Sequence, residues 1–181
     1  IEAPVSAVLG ETVTIKVDGT FNAEQDYVTI VPVDADDSQY QEFIYTDGSA
    51  PVILRTPTET GAFEIRIVRE AGDQNKVLFR KPITITPATA TLSAPAAIAA
   101  GTTLNVAATG PVCREGDDDV YITITRSDEG AGSYSGGYEY VTTSGDTIAI
   151  TVPEEPGSYE LRYVAVGHRP MILARQPLTI Q

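Results

Sequence analysis

Apolar and polar residues alternate along most of this chain. In ETVTIKV at 11–17, Val13, Ile15 and Val17 alternate with Thr12, Thr14 and Lys16. AFEIRIV at 62–68 does the same, with Phe63, Ile65 and Ile67 in phase and Glu64 and Arg66 out of phase. A period of two is the mark of a strand with one buried face, because successive side chains leave opposite sides of a pleated backbone. No window carries an apolar stripe at helical spacing, and Gly, Pro, Asp and Ser interrupt the chain too often to allow one. The pattern predicts an all-β protein, with strands at about 2–8, 11–18, 26–33, 40–46, 51–56, 62–69 and 76–86.

The second half repeats the order of the first. Pro4, Gly10 and Gly19 recur as Pro95, Gly101 and Gly110, a shift of 91; Tyr27 and Tyr40 recur as Tyr121 and Tyr134, a shift of 94. GAFEIRIV at 61–68 recurs as GSYELRYV at 157–164, and LFRKPITI recurs as LARQPLTI. The shift changes only between strands, where loops tolerate insertions. A repeat this long is a whole domain rather than a solenoid unit. Seven short strands per repeat match the count and spacing of an immunoglobulin-like Greek-key sandwich. The expectation is two tandem β-sandwich domains, 1–87 and 88–181, joined by a short extended link through TPATATLS.

The doubled stretch opens the sixth strand of each repeat. In EPGSYELRY, Tyr159 follows a Pro-Gly turn, as in a tyrosine corner whose hydroxyl bonds back to the backbone. Phe63 is its apolar counterpart. Parity places Glu64, Arg66, Glu160 and Arg162 away from the core, where cross-strand pairing on a solvated face is expected. Arg80 and Arg175 share parity with the apolar Leu78 and Leu173. Either their stems lie along the apolar face, or a bulge near Pro82 and Pro177 resets the pleat. A carboxylate on the sixth strand would be their natural partner.

Composition narrows the function classes. Twelve basic residues against 25 acidic ones give a net charge of -13, which speaks against nucleic acid as a partner, since phosphate binding draws on Lys and Arg. Apolar residues form 42% of the chain, enough for packed cores, and no apolar run reaches the length of a membrane helix. Cys113 is the single cysteine, so no intrachain disulfide forms, and a nucleophilic pair with the single His168 lacks an orienting partner. No phosphate-cradling glycine loop, nucleophile elbow or zinc-protease motif occurs, so no enzyme is expected and no cofactor is implied. The start at Ile1 without Met suggests a piece of a longer chain.

Two features could still carry recognition. Tyrosines cluster around the fourth strand of each repeat, Tyr40 and Tyr45 in the first and Tyr134, Tyr138 and Tyr140 in the second. An exposed aromatic row there could bind a peptide or carbohydrate, since Tyr is enriched at interfaces. Acidic loops at Asp34, Asp36 and Asp37 and at Asp117, Asp118 and Asp119 offer hard oxygens that calcium could take, although neither follows the EF-hand spacing.

The strings APAAIAAGTTLNVAATGP, DVYITI, EEPGSYELRYV and ILARQPLTI resemble the immunoglobulin-like repeats found towards the C-terminal end of bacterial proteins that also carry a von Willebrand factor A domain. That resemblance implies a non-catalytic accessory module of an exported protein, periplasmic, at the cell surface or secreted. Its partners would be another protein or other domains of the same chain. It carries no catalytic residue over, and the metal motif of the A domain is missing, since DGSAP at 47–51 fails at its last position. The expected function is that of a spacer or protein-interaction module. The alternatives are a peptide or carbohydrate binder using the fourth strand and a calcium-rigidified adhesin-like segment.

Overall fold

The computed structural model describes residues 1–72, 75–114, 118–167 and 170–181. The chain divides into two compact units, Ile1–Pro87 and Ala88–Gln181. Every regular element among the described residues is a β-strand.

In the first unit, β1 (Ser6–Val8), β7 (Lys76–Thr86), β6 (Gly61–Arg69), β3 (Asp26–Pro32) and β4 (Phe43–Tyr45) form a five-stranded sheet in that order. The antiparallel pair β2 (Thr12–Ile15) and β5 (Val52–Arg55) forms the other. Alternation builds the core between them. Val13, Ile15, Leu54, Val28, Ile30, Phe63, Ile65, Ile67, Ile83 and Ile85 are all buried. Each contributes roughly 1.5–3 kcal/mol by leaving water.

The second unit repeats the plan. β12 (Tyr138–Tyr140), β11 (Val120–Arg126), β14 (Gly157–Ala165), β15 (Met171–Ile180) and β9 (Ala97–Ile98) form one sheet. The other sheet holds β13 (Thr147–Thr151), β10 (Thr103–Thr109) and β8 (Thr91–Ser93). Its core joins Leu104, Val106, Ile122, Ile124, Ile150, Leu161, Tyr163, Leu178 and Ile180.

The first predicted strand of each repeat proves to serve both sheets. Glu2 bridges Lys16 beside the small sheet, while Ser6–Val8 pairs with β7 of the large one. In the second unit β8 pairs with β10 and β9 with β15. Pro4 and Pro95 stand at the two crossings, where a residue without an N–H interrupts no ladder. The following turn needs a backbone that most side chains resist: Gly10 and Gly101 have φ of 77° and 66°.

Each sixth strand meets its neighbour with one irregularity. Register shifts between Ile67 and Val68, where Ile67 faces Phe79 and Val68 faces Val77, so Leu78 is the extra residue. In the second unit Tyr163 faces Ala174 and Val164 faces Ile172, leaving Leu173 extra. The bulge that sequence parity placed near Pro82 and Pro177 therefore lies four residues earlier. It returns Arg80 and Arg175 to the outer face, directly opposite Arg66 and Arg162.

Candidate functional site

The outer face of each large sheet carries the residues that the alternation directs away from the core. On β3 these are Tyr27, Thr29 and Val31, and their partners across β6 are Val68, Arg66 and Glu64. A solvated face was expected at Glu64, Arg66, Glu160 and Arg162, and the structure corrects that expectation, with only Glu160 half-buried. Arg66 and Arg162 are 0% and 1% exposed, and Glu64 is also buried. The chain between β3 and β4, residues 33–42, folds back over the sheet and excludes water from its centre.

A buried guanidinium must satisfy five N–H donors, or the desolvation cost dominates. Arg66 donates from Nε to Glu64 Oε1 at 2.6 Å, from Nη1 to the carbonyl of Asp36 at 2.7 Å and from Nη2 to the carbonyl of Ala35 at 2.6 Å. Arg80 bridges the carboxylates of Glu64 and Asp37. Thr29 Oγ1 donates to the carbonyl of Glu42 at 2.9 Å and accepts from the N–H of Gln41 at 3.3 Å, tying down the far end of the loop. The loop is thus a strap riveted by side chains of the sheet beneath it.

The second unit uses equivalent residues. Arg162 donates from Nε to Glu160 Oε2 at 2.9 Å, from Nη1 to the carbonyls of Glu129 and Gly130 at 3.0 and 2.8 Å, and from Nη2 to that of Arg126 at 3.2 Å. Thr123 Oγ1 donates to the carbonyl of Gly137 at 3.3 Å, and Arg175 stands 3.7 Å from Glu160. Close approach explains two glycines of this strap. A Cβ on Gly136 would lie 2.7 Å from Pro153, and one on Gly137 would lie 2.9 Å from the carbonyl of Thr151.

The aromatic residues gather on the same face, beside the strap. Tyr27 is buried and forms the floor, with Tyr40, Phe43 and Tyr45 around it at centroid distances of 6.2, 5.3 and 6.1 Å. Tyr121 plays that part in the second unit, 6.1 Å from Tyr138 and 6.5 Å from Tyr140, and Tyr134 lies 5.2 Å from Tyr138. The tyrosine clusters read from the sequence lacked Phe43 and both floor residues. The signal lay in the repeated YVTI and YITI, whose tyrosines have the parity of the outer face.

The remaining candidates fall into structural roles. Tyr159 is buried, and its hydroxyl donates to the carbonyl of Glu155 at 3.1 Å, while Arg126 lies 5.3 Å from its ring centroid. Phe63 fills the matching place in the first core. Asp36 contributes its carbonyl to Arg66, Asp37 its carboxylate to Arg80, and Asp34 is exposed. Asp118 is exposed, and the carbonyl of Asp119 accepts from the N–H of Val166 at 2.7 Å. Asp117 lies outside the described residues. Among the described residues, no three His, Cys, Asp or Glu side chains come together to hold a metal ion. Cys113 donates to the carbonyl of Val120 at 2.9 Å, and burial pushes its thiol pKa up, against nucleophilic use. Its notional partner His168 lies outside the described residues.

One buried carboxylate makes the first unit sensitive to acid. Asp26 is paired with Arg69 at 2.7 and 2.6 Å and accepts the N–H of Asn22 at 2.7 Å. Arg69 foremost, then Asn22, outweighs burial and holds the Asp26 carboxyl below its ordinary 3.8. A depressed folded pKa stabilises the fold above the unfolded value, and that contribution is lost as pH falls through the folded one. Acid titration followed by circular dichroism should show the first unit losing stability below about pH 4. Asp26→Asn should flatten that slope, and an unchanged slope would remove Asp26 as its source.

No family model matches the chain, and no curated protein matches it in sequence. Among solved structures, it is similar to the crystal structure of domains 4 and 5 of the S-layer protein SbsC, at 14% identity and a TM-score of 0.25, over 93% of this chain and 79% of that one.

Proposed function

We propose that the chain is a tandem pair of immunoglobulin-like sandwiches serving as a non-catalytic spacer that carries tension within a larger, exported bacterial protein. One observation supports this above the others: in each unit a strand near its start runs parallel to, and hydrogen-bonded with, its last strand. Ser6, Ala7 and Val8 pair with Thr84, Ile85 and Thr86, and Ala97 and Ile98 pair with Thr179 and Ile180. The N–H of Thr84 donates to Val5 at 3.0 Å and that of Leu9 to Thr86 at 2.9 Å. In the second unit the N–H groups of Thr179, Gln181 and Ala100 donate to Ala96, Ile98 and Gln181, all at 2.9 Å.

Parallel pairing makes the chain enter at one end of the ladder and leave at the other. Tension on the two ends then shears the ladder, and its bonds must yield together instead of one after another. Survival under load is governed by the unfolding rate, so a geometry that loads several bonds at once lengthens it. The resemblance to repeats of von Willebrand factor A domain-containing proteins agrees with this role and with a place outside the cytoplasm.

Stretching single molecules from both ends tests the reading. Two unfolding events are expected, each releasing about 300 Å of extended chain, from roughly 3.6 Å per residue. A single event, or extension without a force peak, would contradict it.

A further inference from the structure

We infer that the free edge of β4, and its counterpart β12, is a docking site for an extended basic peptide segment that adds a strand to the sheet. β4 ends the order β1-β7-β6-β3-β4, and β12 is the outermost strand of its own sheet. The register decides which backbone groups the edge offers. Thr46 N–H donates to the carbonyl of Asp26, and in an antiparallel pair the bonded positions alternate, so Ile44 bonds to Val28 while Phe43 and Tyr45 turn their N–H and C=O outward. Val141 N–H donates to the carbonyl of Val120, which by the same rule turns those of Tyr138 and Tyr140 outward. None of these four residues has a backbone partner on that side among the described residues.

The surroundings select the charge of the incoming strand. Tyr40, Phe43, Tyr45 and Tyr27 meet at interplanar angles of 58–87°, so they form a cup of ring edges and faces, not a flat shelf. A sugar ring stacks on a flat aromatic face, whereas a Lys or Arg head sits against such a cup by cation–π attraction. The cations nearby are already matched, Arg66 by Glu64, Arg80 by Asp37 and Arg69 by Asp26. Two further carboxylates stand at the rim. Glu70 accepts the Tyr45 hydroxyl at 3.0 Å, and Asp47 is exposed and held ionised through Ser49. In the second unit Asp118 flanks Tyr140 and Glu139 lies on β12 itself.

A strand carrying Lys or Arg at alternate positions would place those heads on the cup while its backbone completes the ladder. A second copy of this chain fits poorly, since its own edge brings the same carboxylates and a net charge of -13. The site is independent of the ladder that bears tension, so failure of either proposal leaves the other standing.

The probe is an acetylated, amidated octapeptide of alternating Lys and Val, titrated into the full chain at low salt. Saturable binding is expected, with amide shifts concentrated at Phe43–Tyr45 and Tyr138–Tyr140 and weakening as salt rises. N-methylating the edge-facing amides should cost about tenfold or more in affinity, as should Tyr45→Ala together with Tyr138→Ala. Both side chains are more than two-fifths exposed, so the folds should survive their loss. Equal affinity for the N-methylated peptide, shifts elsewhere, or no saturable binding would overturn the proposal. So would a dimer in sedimentation that Tyr45→Ala dissolves, because the edge would then serve a second copy.

Discussion

Arg162→Ala should lower the melting midpoint of the second unit by more than about 12 °C while leaving the first unit in place. The reason is what the substitution strands. Arg162 is 1% exposed and satisfies Glu160 together with carbonyls of Arg126, Glu129 and Gly130. Removing one member of a buried pair typically costs about 3–5 kcal/mol, and here, although Arg175 stays near Glu160, the carbonyls of Arg126, Glu129 and Gly130 lose their buried donor. At roughly 4–8 °C per kcal/mol for a domain of this size, even the low end exceeds ten degrees. Arg66→Ala should do the same to the first unit, where the carbonyls of Ala35 and Asp36 would lose their donor and Glu64 would keep only Arg80. Replacing both members of that pair by apolar residues of similar volume should recover part of the loss. Calorimetry of the single and double variants checks this, and a shift of only one or two degrees would show that the strap does not depend on its arginine.

Leu54→Ala and Leu104→Ala should each destabilise one unit by about 2–5 kcal/mol and leave the other unchanged. Both side chains are fully buried, the first in the core of unit Ile1–Pro87 and the second in that of Ala88–Gln181. Leu104 lies across the core from Ile122 and Leu161, so truncation opens a cavity between the two sheets rather than at a rim. Denaturant unfolding of the two variants should move different transitions. If either variant moved both transitions equally, the two cores would be energetically one.

How much of this could be read from residues alone follows from what parity encodes. The alternation in ETVTIKV and AFEIRIV assigns Ile15 and Ile65 to the core and Arg66 to the opposite face, and the structure has them so. Parity says which face a side chain leaves by; it does not say what covers that face. The strap over Arg66 is a tertiary contact between residues 35–36 and β6, some thirty positions apart, and nothing local in VPVDADDSQ announces it. Its trace is indirect: an Arg at the same place in both repeats, each preceded by a Glu two residues earlier. For Arg80 the sequence left two readings open, and the bulge it offered near Pro82 lies at Leu78 for a related reason. A bulge at Leu78 is a property of the pairing with Ile67 and Val68, and a single strand read alone cannot show its partner's register. The aromatic floor was hidden because Tyr27 and Tyr121 open strands that otherwise alternate normally, so they read as ordinary strand residues until β4 and β12 bring the other rings beside them.

The ladders that join β1 to β7 and β9 to β15 can be tested bond by bond under force. Thr84→Pro removes the N–H that donates to Val5, and Thr179→Pro removes its equivalent to Ala96. In single-molecule stretching from both ends, Thr84→Pro should lower the force of one unfolding event and Thr179→Pro that of the other. Leu54→Ala, matched in thermal destabilisation, should lower the force less. Forces that track thermal stability alone, with no added loss in the two proline variants, would contradict a spacer that bears tension through these strands.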